Sequence, residues 1–189
     1  MKKILTILIA CLLACTMLVA FTACNSPEEE PKVYSKGLKF ELNEEGTGYI
    51  LVGIGSCGDK KLVIPETYNK KPVVEVGDSA FLDNWNITAI DIPDNVTTLQ
   101  DSSFKGCRIL TEVKLGKGVK SIGYRAFSSC TSLESIVIPL NVVEMEELVF
   151  ASCTKLRDIY YPGAETPIGW HYTWKYDTSA VIHYNYTGK

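Results

Sequence analysis

The chain has 189 residues, 46% of them hydrophobic and 22% charged, a composition normal for one globular domain of ordinary size preceded by a leader. Its 19 basic residues are outnumbered by 22 acidic ones, giving a net charge of −3. That balance excludes nucleic acid as the partner, because phosphate binding needs a basic face, and it excludes a polybasic membrane contact.

The first element in chain order is a leader. Met1-Lys2-Lys3 precedes an uncharged run from Ile4 to Phe21, and a short basic segment followed by an apolar one and then small residues is a secretory signal. The run is 18 residues long, so an uncleaved membrane anchor is the rival reading. Phe21-Thr22-Ala23-Cys24 decides between them. It resembles a bacterial lipobox, in which the cysteine thiol receives a diacylglyceryl group and the leader (residues 1–23) is removed. Leu12-Leu13-Ala14-Cys15 is a second candidate, but it would strand apolar residues in the mature chain. Lipidation is therefore expected at Cys24, and through that lipid the domain is held at the membrane, outside the cytoplasm. Losing residues 1–23 takes away Lys2 and Lys3 and no acid. The mature chain then carries 17 basic and 22 acidic residues, a net charge of −5.

Residues 24–36 form the lipidated cysteine and a tether. Glu28-Glu29-Glu30 between Pro27 and Pro31 keeps it solvated, extended and self-repelling. At ~3.3–3.6 Å per residue, its central stretch spans up to ~40 Å. Residues 37–60 read as a hairpin: Phe40 and Leu42 alternate on one arm, Tyr49 and Leu51 on the other, and Gly46-Thr47-Gly48 makes the turn between them.

From residue 61 to 158 the chain repeats itself at a shift of 23. The segments 90–112, 113–135 and 136–158 fall into register. One column holds Pro93, Gly116, Pro139 and Pro162; others hold Val96, Val119 and Val142, then Leu99, Ile122 and Met145. Phe104, Phe127 and Phe150 follow, then Cys107, Cys130 and Cys153, then Leu110, Leu133 and Leu156. Phe81 and Ile87 extend two columns upstream, and a partial coil starts at Lys61, with extra residues after Pro65 that read as a protruding loop. One such unit cannot bury its apolar side, whereas stacked units share a continuous core, so the fold is a solenoid. Within a unit, Ile-x-Ile-Pro reads as a strand ended by proline. Val-x-x-Ile is a second strand at the next corner, and Tyr124 to Cys130 suits a short helical turn. An open solenoid exposes core at both ends, so residues 159–189 are expected to cap it, with Val181, His183 and Tyr184 in a final strand and Trp170 and Trp174 over the last coil.

The unit 110–130 resembles the BspA-type bacterial leucine-rich repeats, whose pattern is Leu-x-x-Ile-x-Ile-Pro-x-x-Val-x-x-Ile-Gly-x-x-Ala-Phe-x-x-Cys. Val113 and Leu115 stand for the isoleucines and Gly116 for the proline. Coil 136–158 departs at Glu146 and Val149, where glycine and alanine are usual, so a looser turn is expected there. The resemblance covers about residues 38–187 and implies a leucine-rich-repeat solenoid, mostly β with short helical turns, between an N-terminal hairpin cap and a C-terminal cap. It also implies a surface protein engaged in attachment, to a host or to a neighbouring cell.

Few residues carry chemistry. Of the seven cysteines, Cys11 and Cys15 leave with the leader. Cys107, Cys130 and Cys153 share one repeat column where a small apolar side chain is wanted; neighbours ~5 Å apart are not barred from bridging, but a ladder of thiols is the reading adopted. No paired-cysteine or histidine motif suggests a metal, no cofactor motif is present, and His171 and His183, the only histidines, have no nucleophile arranged around them in the sequence. The reading is thus a binding module and not an enzyme. Its partner surface is expected along the outward positions that flank each inward isoleucine: Ala89 and Asp91, Glu112 and Lys114, Ser135 and Val137, Asp158 and Tyr160. Asp91, Glu112, Lys114, Val137 and Tyr160 are the candidates for a protein ligand. The alternative is carbohydrate, stacked on Trp170, Tyr172 and Trp174.

Overall fold

The computed structural model describes residues 32–188; the leader, Cys24 and most of the tether lie outside the described residues. Ser35, read from the sequence as tether, is fixed to the first coil: its N–H donates to the Val63 carbonyl at 3.0 Å, and its Oγ accepts the Val63 N–H at 3.1 Å.

The hairpin pairs β1 (Lys39–Leu42) antiparallel to β2 (Tyr49–Gly53). Its turn is closed by Asn43, whose Oδ1 accepts the Thr47 and Gly48 N–H groups at 2.9 and 3.0 Å. The partial coil follows with β3 (Lys61–Val63), then β4 (Thr67–Tyr68) and β5 (Lys71–Val76). The expected protruding loop is itself a hairpin, because β4 pairs antiparallel with the start of β5 around Asn69 and Lys70, which both have positive φ (46° and 66°). A two-residue hairpin turn of this hand demands that conformation, and asparagine enters it easily. Asn95 ties its base, donating through Nδ2 to the Glu66 and Val73 carbonyls at 2.6 and 2.7 Å. Tyr68 stacks on Phe40 with ring centroids 4.4 Å apart.

Each later coil contributes two short strands. They are β6 (Ala89–Asp91) and β7 (Thr98–Leu99), β8 (Glu112–Lys114) and β9 (Ser121–Ile122), and β10 (Ser135–Val137) and β11 (Glu144–Met145). β12 (Asp158–Tyr160) and β13 (Val181–His183) end the series. All of these pair in parallel, since successive coils run in the same direction. The second strands extend the N-terminal hairpin into one sheet, ordered β1-β2-β5-β7-β9-β11 with β4 attached to β5. The first strands form two three-stranded sheets, β3-β6-β8 and β10-β12-β13. β8 and β10 are neighbours without a ladder joining them. At the corner after β8, glycine replaces proline because there is no room: a Cβ on Gly116 would lie 2.3 Å from the Pro93 carbonyl oxygen.

The columns read from the sequence are the core. Ile90, Val113, Ile136 and Ile159 point inward, as do Leu99, Ile122 and Met145. Phe81, Phe104, Phe127 and Phe150 stack face to face, with centroids 5.1, 5.1 and 5.6 Å apart and planes within 6° of parallel. Trp174 closes the stack edge-on at 5.9 Å from Phe150.

The segment expected as a short helical turn, Tyr124–Cys130, is instead a run of tight turns, repeated in every coil. Two residues per turn have positive φ at the repeat spacing: Ser79, Ser102, Arg125 and Leu148 in one column, Asp83, Gly106, Ser129 and Ser152 in the other. A left-handed residue interrupts a helix. What it permits is a ladder between coils, in which the Phe104, Phe127 and Phe150 N–H groups donate to the carbonyls of Ala126, Val149 and Trp174 at 2.8, 3.0 and 3.0 Å. The coil of Glu146 and Val149, expected to be looser, keeps the same geometry, with Leu148 at 59°, Ser152 at 58° and Val149 fully buried.

Candidate binding surface

The first strands of the stacked coils place alternate side chains in the core and in water, so the outward row is set by register. Glu112 and Lys114 stand on either side of buried Val113, and Ser135 and Val137 on either side of Ile136, all four exposed. Ala89 is a correction: expected outward, it is buried. Its single methyl stands in register between Lys61 and Glu112, whose side chains are far longer.

Parallel register lines these residues up. Asp91 neighbours Lys114 across β6 and β8, and Lys114 Nζ sits 3.3 Å from Asp91 Oδ2. The lysine is largely exposed, so water screens the pair and it adds little stability. Val137 neighbours Tyr160, and Tyr160 neighbours His183. Here the sequence reading missed two participants. Tyr160 stacks on the His183 ring at 4.7 Å and against Tyr186 at 4.7 Å, while His183 Nε2 lies 2.7 Å from Asp158 Oδ1. No repeat column points to His183 or Tyr186, because they belong to the closing segment. The only available signal was alternation within β13, which puts His183 on the same face as Val181.

Of the residues of the carbohydrate alternative, Trp170 and Trp174 pack edge-on at 5.0 Å and are buried, while Tyr172 is not. Trp170 and Trp174 are 6% and 5% exposed, the first donating its indole N–H to the Val142 carbonyl at 3.1 Å and the second packed on Phe150. They cap the core and have no free face for a sugar ring. Tyr172 alone is open, at 88%.

The opposite sheet carries a shallow depression of about 300 Å³ lined by Asp78, Gln100, Asp101, Ser121 and Glu146 among others. Two of its carboxylates are already engaged: Asp101 accepts the Tyr124 N–H at 2.9 Å, and Asp78 accepts the Ser79 hydroxyl at 2.6 Å. No histidine, lysine or thiol lines it. Among the described residues, no three His, Cys, Asp or Glu side chains group as a metal site.

The thiol column is free and buried. Cys107, Cys130 and Cys153 each donate from Sγ to the phenylalanine carbonyl of the preceding coil, Phe81, Phe104 and Phe127, at 3.2, 3.3 and 3.1 Å. Burial away from water disfavours the thiolate. It pushes Cys107 and Cys153 up to about 12, and Cys130 well above its ordinary value.

A family model described as the BspA type leucine rich repeat region matches residues 74–177 in six copies. The chain belongs to the BspA-type leucine-rich-repeat family. Solved structures agree with that fold. A T. pallidum leucine-rich-repeat protein superposes with a TM-score of 0.71 at 24% identity, over 80% of this chain and 70% of that one. A Bacteroides capillosus leucine-rich-repeat protein gives 0.60 at 27% identity, over 70% of this chain and 99% of the other. The pneumococcal vaccine antigen PcpA gives 0.54 at 24% identity, and there the match covers 68% of this chain and 37% of PcpA. No curated protein sequence matches. As a BspA-type repeat protein, the chain has the architecture of an interaction module, an extended surface of stacked strands with outward side chains free to vary.

Proposed function

We propose that this BspA-type protein is a lipid-anchored bacterial surface module that binds a protein partner through the outward row of its first strands. The observation that carries this reading is that row itself. Asp91, Glu112, Lys114, Val137 and Tyr160 hold no core position, and register sets Asp91 beside Lys114 and Val137 beside Tyr160, mixing charge, an aliphatic and an aromatic side chain. Such a mixture suits a protein interface, where a tyrosine buries apolar area while its hydroxyl keeps a partner. Location outside the cell is supported by the leader and the lipobox-like Phe21-Thr22-Ala23-Cys24, with Cys24 as the lipid site. Contact with a host or neighbouring cell is the role that such a face on a tether would serve. A sugar-binding role is disfavoured by the burial of Trp170 and Trp174.

A photo-crosslinking residue introduced at Val137 in the full chain, irradiated on intact cells with and without a neighbouring cell type, tests this. Val137 is expected to yield a discrete adduct with a second protein, and the same group at Glu146 on the opposite sheet none. Equal labelling from both positions, or no adduct from Val137, would contradict the proposal.

A further inference from the structure

Three outward positions at the corner between the two strands of a coil change character from coil to coil. From the end of β6 they are Asp91, Asp94 and Thr97; from the end of β8, Lys114, Lys117 and Lys120; from the end of β10, Val137, Leu140 and Val143. The same backbone sites thus pass from two acids and a threonine to three lysines to three aliphatics in successive turns of the solenoid, in rows ~5 Å apart.

The aliphatic row is open to water. Val137, Leu140 and Val143 are 42%, 58% and 52% exposed, although the residues at these positions in the two preceding coils are polar. The next layer continues the patch. Tyr160 lies beside Val137 in the β10–β12 register. Single exposed aliphatics are ordinary on a protein surface, whereas a contiguous set marks a contact. The lysine row beside it is partly free. Lys114 is held by Asp91, but Lys117 and Lys120 are exposed and enter no ion pair among the described residues. Asp94 does not neutralise Lys117 through its ammonium group; its Oδ1 accepts the Lys117 backbone N–H at 2.8 Å.

We infer that this corner docks a protein segment that presents an apolar row beside an acidic row. The apolar side chains would cover Val137, Leu140 and Val143, and the carboxylates would meet Lys117 and Lys120. This rests on the reading of the repeat surface as protein-binding and adds the chemistry of the partner. Charge complementarity selects the occupant. An anionic bilayer is too wide for two adjacent rows and would be pressed against Asp91 and Asp94 one row further on. A narrow segment covers the aliphatic and lysine rows and leaves the acidic row in water.

Two designed amphipathic helical peptides with the same leucine stripe, one flanked by glutamates and one by lysines, test this against the full chain by fluorescence anisotropy. The glutamate peptide is expected to bind about tenfold or more tightly than the lysine peptide. Leu140→Glu with Val143→Glu should abolish binding, and Lys117→Glu with Lys120→Glu should reverse the preference, with melting unchanged because all four residues are exposed. Equal binding of the two peptides, or a preference that survives the lysine reversal, overturns the inference. It is also overturned if phosphatidylglycerol vesicles bind in place of the peptides, or if the row mediates self-association that Leu140→Glu abolishes in sedimentation. A partner crosslinked at Val137 in cells together with failure of both peptides would leave the surface reading standing and sink only the acidic, apolar partner.

Discussion

Phe127→Ala is expected to destabilise the domain by ~3–5 kcal/mol. The ring has no exposure and lies between Phe104 and Phe150 at 5.1 and 5.6 Å, so nothing nearby can collapse into the space it leaves. In a solenoid each coil touches only its neighbours, and a cavity at the central coil weakens the contact on both sides. Against a total stability of ~5–15 kcal/mol, the substitution brings the protein close to unfolding at ambient temperature. Urea denaturation of the two proteins measures it. A loss below ~1 kcal/mol would mean that the stack is not a principal element of the core.

The thiol ladder predicts an equally large effect of alkaline pH. Cys107, Cys130 and Cys153 have folded-state pKa values above their unfolded ones, because burial excludes the thiolate. Their contribution is therefore fully present below the unfolded value near 9 and is lost as pH rises towards about 12, while the unfolded chain ionises and the folded one does not. Within that window each thiol removes about 1.4 kcal/mol per pH unit, and three together about 4. Between pH 9 and 11 that amounts to about 8 kcal/mol, enough to unfold a domain whose total lies in the lower half of ~5–15 kcal/mol. Urea melts from pH 8 to 11 should show this slope, and Cys130→Ala should lower it by about a third while costing some stability at neutral pH. An unchanged slope in that variant would show that the thiols are not what titrates. Alkylation at neutral pH should likewise require denaturant, since a buried neutral thiol is a poor nucleophile.

The fold was legible because its information is periodic. Phe104, Phe127 and Phe150 announce one buried column, and every other column inherits its direction from that spacing. Cap positions were legible for a different reason, because an open core needs covering, and Trp170 and Trp174 are the large apolar residues that follow the last repeat. The turns were misread as helix because their left-handed residues do not look left-handed. Gly106 is the single glycine in its column, and Ser129, Arg125 and Leu148 take the same conformation without the residue type that signals it. Inter-coil hydrogen bonds hold them there, and those bonds are invisible until the coils are stacked. The geometry of the proposed face was half legible. Outward strand positions follow from alternation, but Lys117, Lys120, Leu140 and Val143 lie at a corner where alternation fails. They become a surface only when columns are compared for what varies instead of what repeats. His183 and Tyr186 join Tyr160 through the closing strand, whose register no repeat predicts.

The central claim is that the outward row of the first strands binds a protein. Tyr160 is a poor probe of it, since its stacking on His183 and Tyr186 ties any substitution to the fold. Lys114→Glu with Val137→Glu avoids this, because both side chains are exposed and each change should alter stability by ~0.5 kcal/mol or less. The decisive measurement is the affinity of this double variant for the protein crosslinked at Val137, taken beside its melting temperature. The account predicts a fall in affinity of about a hundredfold, ~2.7 kcal/mol, with the melting temperature held within a few degrees. Binding unchanged by the double variant would contradict it and leave the row as a solvated face.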